Sequence, residues 1–458
     1  MSGFRLSSHP ARRKQDVDMT QGNILQHIIY FAIPLLLGNL FQQLYNMVDT
    51  WVLGNFASTA AYSAVGMIAP VCNMLIGFFM GFSSGAGVVI SQYYGARQYE
   101  KVQEAVHTAL LMTLGLGAVL SVLGIIITPY VLQLMNMTTD MLQEAKTYLT
   151  IYFAGIIGLM FYNIGAGILR AVGDSKRPFY FLVVCAVMNM ILDLLFVVAF
   201  KMGVAGVAIA TILSQFISAT LVIITLLRTD SCVKVSFSKL RIHWDVLKKI
   251  INLGIPTALQ LTITSFSNVF VQSYVIHFGE TCAGGWTTYS KVDQLIVLPM
   301  QSIALATTTF VGQNLGKGEI ERAKKGVTTS AVVGCISTVA LMLPVIIFAP
   351  YLATFFNDDS EVLEYATLFL RCLTPFYLLF CINQIYVAAL RGSGNTRASM
   401  IITLASFVGF RQLYLFVMSL VWNEILPIGM AYPAGWLVCT VITLIYYRVV
   451  PFGKKRLI

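Results

Sequence analysis

Of the 20 Asp and Glu residues in the chain, only Asp49 and Asp193 sit well inside apolar stretches. An isolated carboxylate within a bilayer costs at least about 2.5–3.5 kcal/mol on insertion scales, so such a residue binds an ion, carries a proton or faces a wet cavity. The competing reading is a structural hydrogen bond between helices. Spacing supplies companions. Asn189 and Asp193 are four apart and share a helix face, and Gln42, Tyr45 and Asp49 are spaced by three and four on another. The turn between the fifth and sixth apolar spans centres near Met202. Asp193 precedes it by nine residues and Thr211 follows it by nine, which places both at one depth of a helical hairpin. Asp49, Asp193, Asn189, Thr211 and Tyr45 are therefore expected to converge, with Gln42 on the same face of the first helix as a candidate substrate contact. Such a cluster can exchange a proton, or hold Na+ on Asp49 and Asp193 with Asn, Thr and backbone oxygens as partners.

Two further charges lie in apolar surroundings. Asp293 stands beside Lys291 near the start of the eighth span and reads as half of a head-of-helix ion pair, or as a cleft residue. Arg411 lies within the eleventh span, where it can snorkel, bond a backbone carbonyl or touch a substrate. Other chemistries find no support. There is no Walker A sequence, no pair of the five histidines has metal-ligand spacing, and no catalytic set gathers at one face. The eight cysteines show no CxxC pair and read as apolar packing residues. The chain is expected to be no enzyme and to need no cofactor beyond a coupling H+ or Na+.

The elements that must position these residues follow from composition. Hydrophobic residues make up 57% of the 458 and charged residues 11%, against about 25% charged in a soluble domain. Lipid must be the main solvent, and at about 20 apolar residues per crossing the length suits twelve spans. They fall near 26–53, 63–91, 103–127, 145–169, 178–200, 203–227, 250–277, 287–312, 327–350, 365–390, 398–421 and 427–449. With the N-terminus placed in the cytoplasm, 25 of the 30 Lys and Arg residues fall on the cytoplasmic side, which orients both termini inward. This distribution accounts for the net charge of +10 without nucleic acid. The basic, polar N-terminal stretch carries no cleavable signal, so the first helix is expected to serve as the insertion signal of a cytoplasmic-membrane protein.

The chain also repeats. Pro34 and Pro256 are 222 residues apart; Gln92 and Gln313, and Arg170 and Arg391, are 221 apart. A near-constant offset over three anchors marks an internal repeat. Six helices separate the copies, so both share one orientation and are related by an axis along the membrane normal. The expected fold is an all-α membrane protein of twelve transmembrane helices in two six-helix lobes. Its parts are an N-terminal cytoplasmic segment 1–25, a first lobe 26–227, a linker 228–249, a second lobe 250–449 and a cytoplasmic tail 450–458. The positions matching Asp49 and Asp193 in the second lobe fall near Phe270–Val271 and Tyr414–Leu415, so the carboxylate pair is not repeated.

Several stretches resemble the multidrug and toxic compound extrusion (MATE) transporters, in their DinF-like bacterial branch. They are IPLLLGNLFQQLYNMVDTWVLGNF (33–56), SQYYGARQYEKV (91–102), GILRAVGDSKRP (167–178), MNMILDLLFV (188–197), GVAGVAIAT (203–211), VGQNLGKGE (311–319) and LRGSGNTR (390–397). The resemblance implies export of drugs or other small organic, mostly cationic, compounds in exchange for H+ or Na+, by a monomer in contact with lipid. It also implies a first-lobe cation site whose carboxylates match Asp49 and Asp193 and whose partners match Tyr45, Asn189 and Thr211. Other branches carry an acid in the seventh helix; GIPTALQLTITSFSNVF has none. A flippase for lipid-linked oligosaccharide or cell-wall precursor is the alternative. It calls for a basic cleft, and in the first lobe no Lys or Arg lies deep within a membrane span, Lys146 standing at the outer start of the fourth.

Overall fold

The computed structural model describes residues 16–133, 135, 137–454 and 456–457. Arg5, Arg12, Arg13, Lys14 and Lys455, which enter the charge count above, lie outside the described residues, as does most of segment 1–25. Twelve long helical segments run through the described residues, and no strand is present among them. The first lobe holds α1 (Ile24–Phe56), α2 (Thr59–Gly95), α3 (Tyr99–Gln133), α4 (Thr139–Ala171), α5 (Lys176–Ala199) and α6 (Gly203–Arg228). The second holds α7 (Trp244–Ile276), α8 (Glu280–Lys317), α9 (Ile320–Ile347), α10 (Ser360–Gly392), α11 (Thr396–Val421) and α12 (Ile425–Val449).

All but α7 are long and apolar enough to cross a membrane. The exception has a cause: α7 runs between the lobes and carries Thr257, Gln260, Thr262, Thr264, Ser265, Ser267 and Asn268 in its middle. Most helices overrun the expected spans; α8 starts at Glu280 and α9 at Ile320, against 287 and 327. Polar turns continue these helices past the apolar slab. Side-chain caps start the first two, Asn23 accepting from the Gln26 amide and Ser58 from the Ala61 amide. Three features were not visible in the sequence: a short helix Ala349–Thr354 after α9, and π-helical turns at Leu194–Ala199 in α5 and Ala405–Phe410 in α11. The linker is also shorter than expected, because residues 244–249 open α7. Its remainder docks on α3, where the Ser236 amide donates to His107 Nε2 at 3.1 Å and the His243 amide to Thr108 Oγ1 at 3.1 Å.

The two lobes exchange parts of their first helices. Ile28, Phe31, Ala32 and Leu35, from the first half of α1, are buried in the core of the second lobe. Val246, Ile250 and Leu253, from the first half of α7, are buried in the core of the first. The later halves stay at home. Val52 and Leu53 pack with Val197, Val204 and Val207, and Val271 packs with Leu415, Ile428 and Ala431. Pro34 and Pro256 lie in the exchanged halves, where each removes one rung of its helix's hydrogen-bond ladder.

At the end of the bundle that carries the described termini, α2 and α8 cross in backbone contact. A Cβ on Gly95 would stand 1.9 Å from the Gln313 carbonyl oxygen, and one on Gly316 would stand 2.0 Å from that of Gln92; only glycine fits at either place. The two glutamines then reach reciprocally across. Gln92 Nε2 donates to the Gly392 carbonyl at 2.9 Å, and Gln313 Nε2 to the Ala171 carbonyl at 2.9 Å. Each amide oxygen accepts from a terminal segment: Gln92 Oε1 from the Leu457 amide at 2.8 Å, Gln313 Oε1 from the Met19 amide at 2.9 Å. Asn314 and Arg322 add donors to the Met19 carbonyl. Halfway along the bundle, Thr262 Oγ1 donates to the Met74 carbonyl at 3.3 Å. Among the described residues, no hydrogen bond joins the lobes beyond that level. The lobes are locked at the terminal end and unlocked at the far end.

Gln92→Ala or Gln313→Ala leaves a buried carbonyl and a terminal amide unpaired, at a cost of about 1–3 kcal/mol, or about 5- to 150-fold in the closed-to-open ratio. Spin labels at the exposed positions Lys101 and Glu321 report it: the distance distribution should lengthen in either variant and more in the pair.

Candidate functional site

Asp49 lies two turns before the end of α1, in the half that stays with the first lobe. Asp193 ends the regular part of α5, directly before the π turn Leu194–Ala199. A π turn breaks the even α-helical ladder and recurs at functional positions. The two carboxylates come within hydrogen-bonding reach of each other. Asp193 is 0% exposed, and both its oxygens are buried with no donor. Asp49 is half-buried, and its Oδ1 is likewise buried without a donor. Asn189, one turn before Asp193, is fully buried with both amide atoms unpaired, and Thr211 Oγ1 is buried and unpaired. Thr211 lies one turn beyond Val207, which packs with Val52, Leu53 and Val197, so it belongs to the same layer. Tyr45 is buried within electrostatic range of Asp49, and Gln42 hydrogen-bonds it.

This concentration of orphans is the chemical signature of the site. Buried polar side chains in native proteins nearly always find partners, and here four residues on three helices do not. Their free atoms are oxygens plus one amide NH2. They can coordinate a small cation or share a proton.

Sequence reasoning missed Tyr148 and Tyr152, which stack on α4 with ring centroids 6.1 Å apart and planes inclined by 14°. Tyr148 lies within electrostatic range of Asp49 and Tyr45, as Cys185 does. Their only signal was the four-residue spacing of two tyrosines in an apolar helix.

The second lobe differs from expectation at Asp293. No ion pair joins it to Lys291 among the described residues, because positions two apart on a helix point to different sides. The Lys291 ammonium instead sits 5.5 Å above the Phe356 ring. Asp293 Oδ1 accepts from the Tyr377 hydroxyl, itself 3.0 Å from the Tyr289 hydroxyl, and Trp286, Phe369 and Trp436 pack around these rings. Arg411 is 2% exposed, and its side chain is bonded to α7. Nη2 donates at 2.8 Å to Ser267 Oγ and at 2.8 Å to Asn268 Oδ1, and the guanidinium carbon lies 4.8 Å over the Tyr432 ring.

The MatE family model matches the chain twice, over residues 34–195 and 256–417. Starts and ends are each 222 residues apart (256 − 34 and 417 − 195), which is the offset of the two prolines. A probable multidrug resistance protein of Bacillus subtilis, YoeA, is 30% identical over 93% of this chain and 94% of its own length. A FAD transporter of Shewanella oneidensis is 24% identical over 83% and 85%. An outward-facing multidrug resistance MATE family transporter of the MOP superfamily superposes with a TM-score of 0.90 at 24% identity, over 95% of this chain and 98% of that one; this last likeness shows the fold alone.

The orphans make a stability prediction. Asp193→Leu installs the residue that stands at the matching position, Leu415, and removes two unpaired buried oxygens. It should stabilise the ion-free protein by about 1–3 kcal/mol, read as a higher melting temperature in detergent at neutral pH. A lower one would mean that Asp193 holds a partner.

Proposed function

Since the chain belongs to the MatE family, we propose that it is a secondary antiporter exporting small organic, mainly cationic, compounds across the cytoplasmic membrane in exchange for H+ or Na+. The multi-pass architecture and relatives named for multidrug resistance support the export of small molecules. The observation that carries the coupling is the orphaned cluster of Asp49, on the half of α1 that stays with the first lobe, with Asn189 and Asp193 on α5 and Thr211 on α6.

The steps follow from the packing. Excess Lys and Arg at the terminal end assign that end to the cytoplasm, so this conformation is closed inward. A proton or Na+ arriving from outside settles between Asp49 and Asp193, with Asn189 and Thr211 offering oxygens and Tyr45 closing the side. Removing the repulsion of two carboxylates draws the outer half of α1 onto α5 and α6. The inner half of the same helix is buried in the second lobe, so its tilt changes at Pro34 and loads the Gln92–Gln313 junction. The lobes then exchange openings around the bound compound. A ligand shifts such an equilibrium only by its differential affinity for the two states, and the unpaired oxygens of this site supply that difference. The protein acts as a monomer; its partners are the exported compound and lipid.

The test is efflux of a fluorescent organic cation from proteoliposomes, with pH and Na+ gradients imposed separately. One gradient should drive efflux of the unaltered protein and identify the ion; efflux under neither would sink the antiport reading. Asp49→Asn with Asp193→Asn should abolish gradient-driven efflux, and retained transport would remove the cation from the first lobe.

A further inference from the structure

The geometry points to Arg411 as a tethered cation that fills, in the second lobe, the place where the first lobe holds an exchangeable one. The repeat offset of 222 residues pairs Tyr45 with Ser267, Asn46 with Asn268, Asp49 with Val271, Asn189 with Arg411 and Asp193 with Leu415. The structure keeps the pairing. Val271 and Leu415 are fully buried and pack in one core, as Asp49 and Asp193 approach each other. The second lobe has therefore lost both carboxylates to aliphatic side chains, and beside them it has gained a permanent positive charge.

The bonding of the two places is opposite. Apart from the Asp49–Asp193 approach, no side-chain hydrogen bond among the described residues joins the outer half of α1 to α5 or α6. In the second lobe the equivalent seam is bridged at several levels, although Thr264 Oγ1 and Arg411 Nε stay buried without a partner. Gln260 bonds Thr403 and Ser399. Ser267 Oγ donates to the Phe407 carbonyl, inside the π turn, at 3.0 Å. Ser267 Oγ also accepts from Arg411 Nη2 and from Gln412 Nε2, each at 2.8 Å. Arg411 Nη2 reaches Asn268 as well, so one guanidinium binds two neighbouring residues of α7 while its face rests on Tyr432 of α12. Three helices, α7, α11 and α12, thus meet on one charge. Tyr432 in turn lies within electrostatic range of Asp293.

The consequence is an asymmetric transporter. A cation that cannot leave holds the later half of α7 against α11 and α12, so this part of the second lobe moves as a rigid body, while the matching half of α1 is free to repack. Arg411 is a positioning residue, not a ligand of the exported compound. The comparison with an exchangeable cation rests on the proposed first-lobe site; the assignment of Arg411 as the charge that holds α7 does not.

Guanidinium and urea are planar, of similar size and share an edge of two N–H donors, but urea carries a carbonyl acceptor in place of the third amino group and no charge, so together they test the inference. Arg411→Ala should melt at a lower temperature in detergent than the unaltered protein. Millimolar guanidinium should restore most of that loss saturably, and urea at the same concentration should not; neither should raise the melting temperature of the unaltered protein. Transport by Arg411→Ala in proteoliposomes should fall at least tenfold and recover with guanidinium alone. Equal recovery with urea, or none with either, overturns the proposal. Should Arg411→Ala fail to fold, Arg411→Lys and Arg411→Met decide: Lys must yield more folded protein than Met, and Lys no better than Met also overturns it. If neither gradient drives efflux in the unaltered protein, the antiport reading fails while the melting comparison still decides the role of Arg411.

Discussion

A polar group buried away from water needs a partner, and in a bilayer no solvent supplies one. The interior of this chain is divided by that rule. At the α2–α8 crossing Gln92 and Gln313 each use both ends of the side-chain amide, one across the lobe boundary and one on a terminal segment. In the second lobe, Ser267, Arg411 and Gln412 close a seam. In the outer half of the first lobe, Asp49, Asn189, Asp193 and Thr211 are left open. The unpaired groups mark where something must arrive, and the paired ones mark what must hold still while it does.

The exchange of first-helix halves turns that local deficit into a property of the whole molecule. Were α1 packed in its own lobe throughout, a change around Asp49 would end inside that lobe. Instead Ile28, Phe31 and Leu35 are fixed in the opposite core, and the same helix presents Asp49 to an open site and its other end to a closed junction. Coupling of this kind needs no separate relay, since one helix is bonded in two places with opposite requirements.

Much of this was legible in the sequence because the physics involved is local or periodic. Apolar runs show the spans, the recurrence of proline, glutamine and arginine shows the repeat, and two carboxylates in apolar surroundings draw notice by their cost alone. The spacings that placed Asp193 and Thr211 at one depth depend only on helix rise. What escaped depends on contacts between distant segments. The roles of Gln92 and Gln313 required the helix crossing. The π turns beside Asp193 and Arg411 are adjustments of packing that no residue type announces. Lys291 and Asp293 suggested an ion pair by adjacency, and helix geometry separates them. Arg411 stood out as a charge, but its partners are Ser267 and Asn268, in another helix.

The swapped halves of α1 and α7 also constrain how such a chain can be made. When the first lobe has entered the membrane, the early turns of α1 have no core to enter, because the helices they pack against in the second lobe, α8 and α9, are not yet synthesised. The place those turns leave in the first lobe is filled only by Val246, Ile250 and Leu253, after the linker. Neither half can reach its final packing before the other is inserted, so the cores of both lobes are completed late.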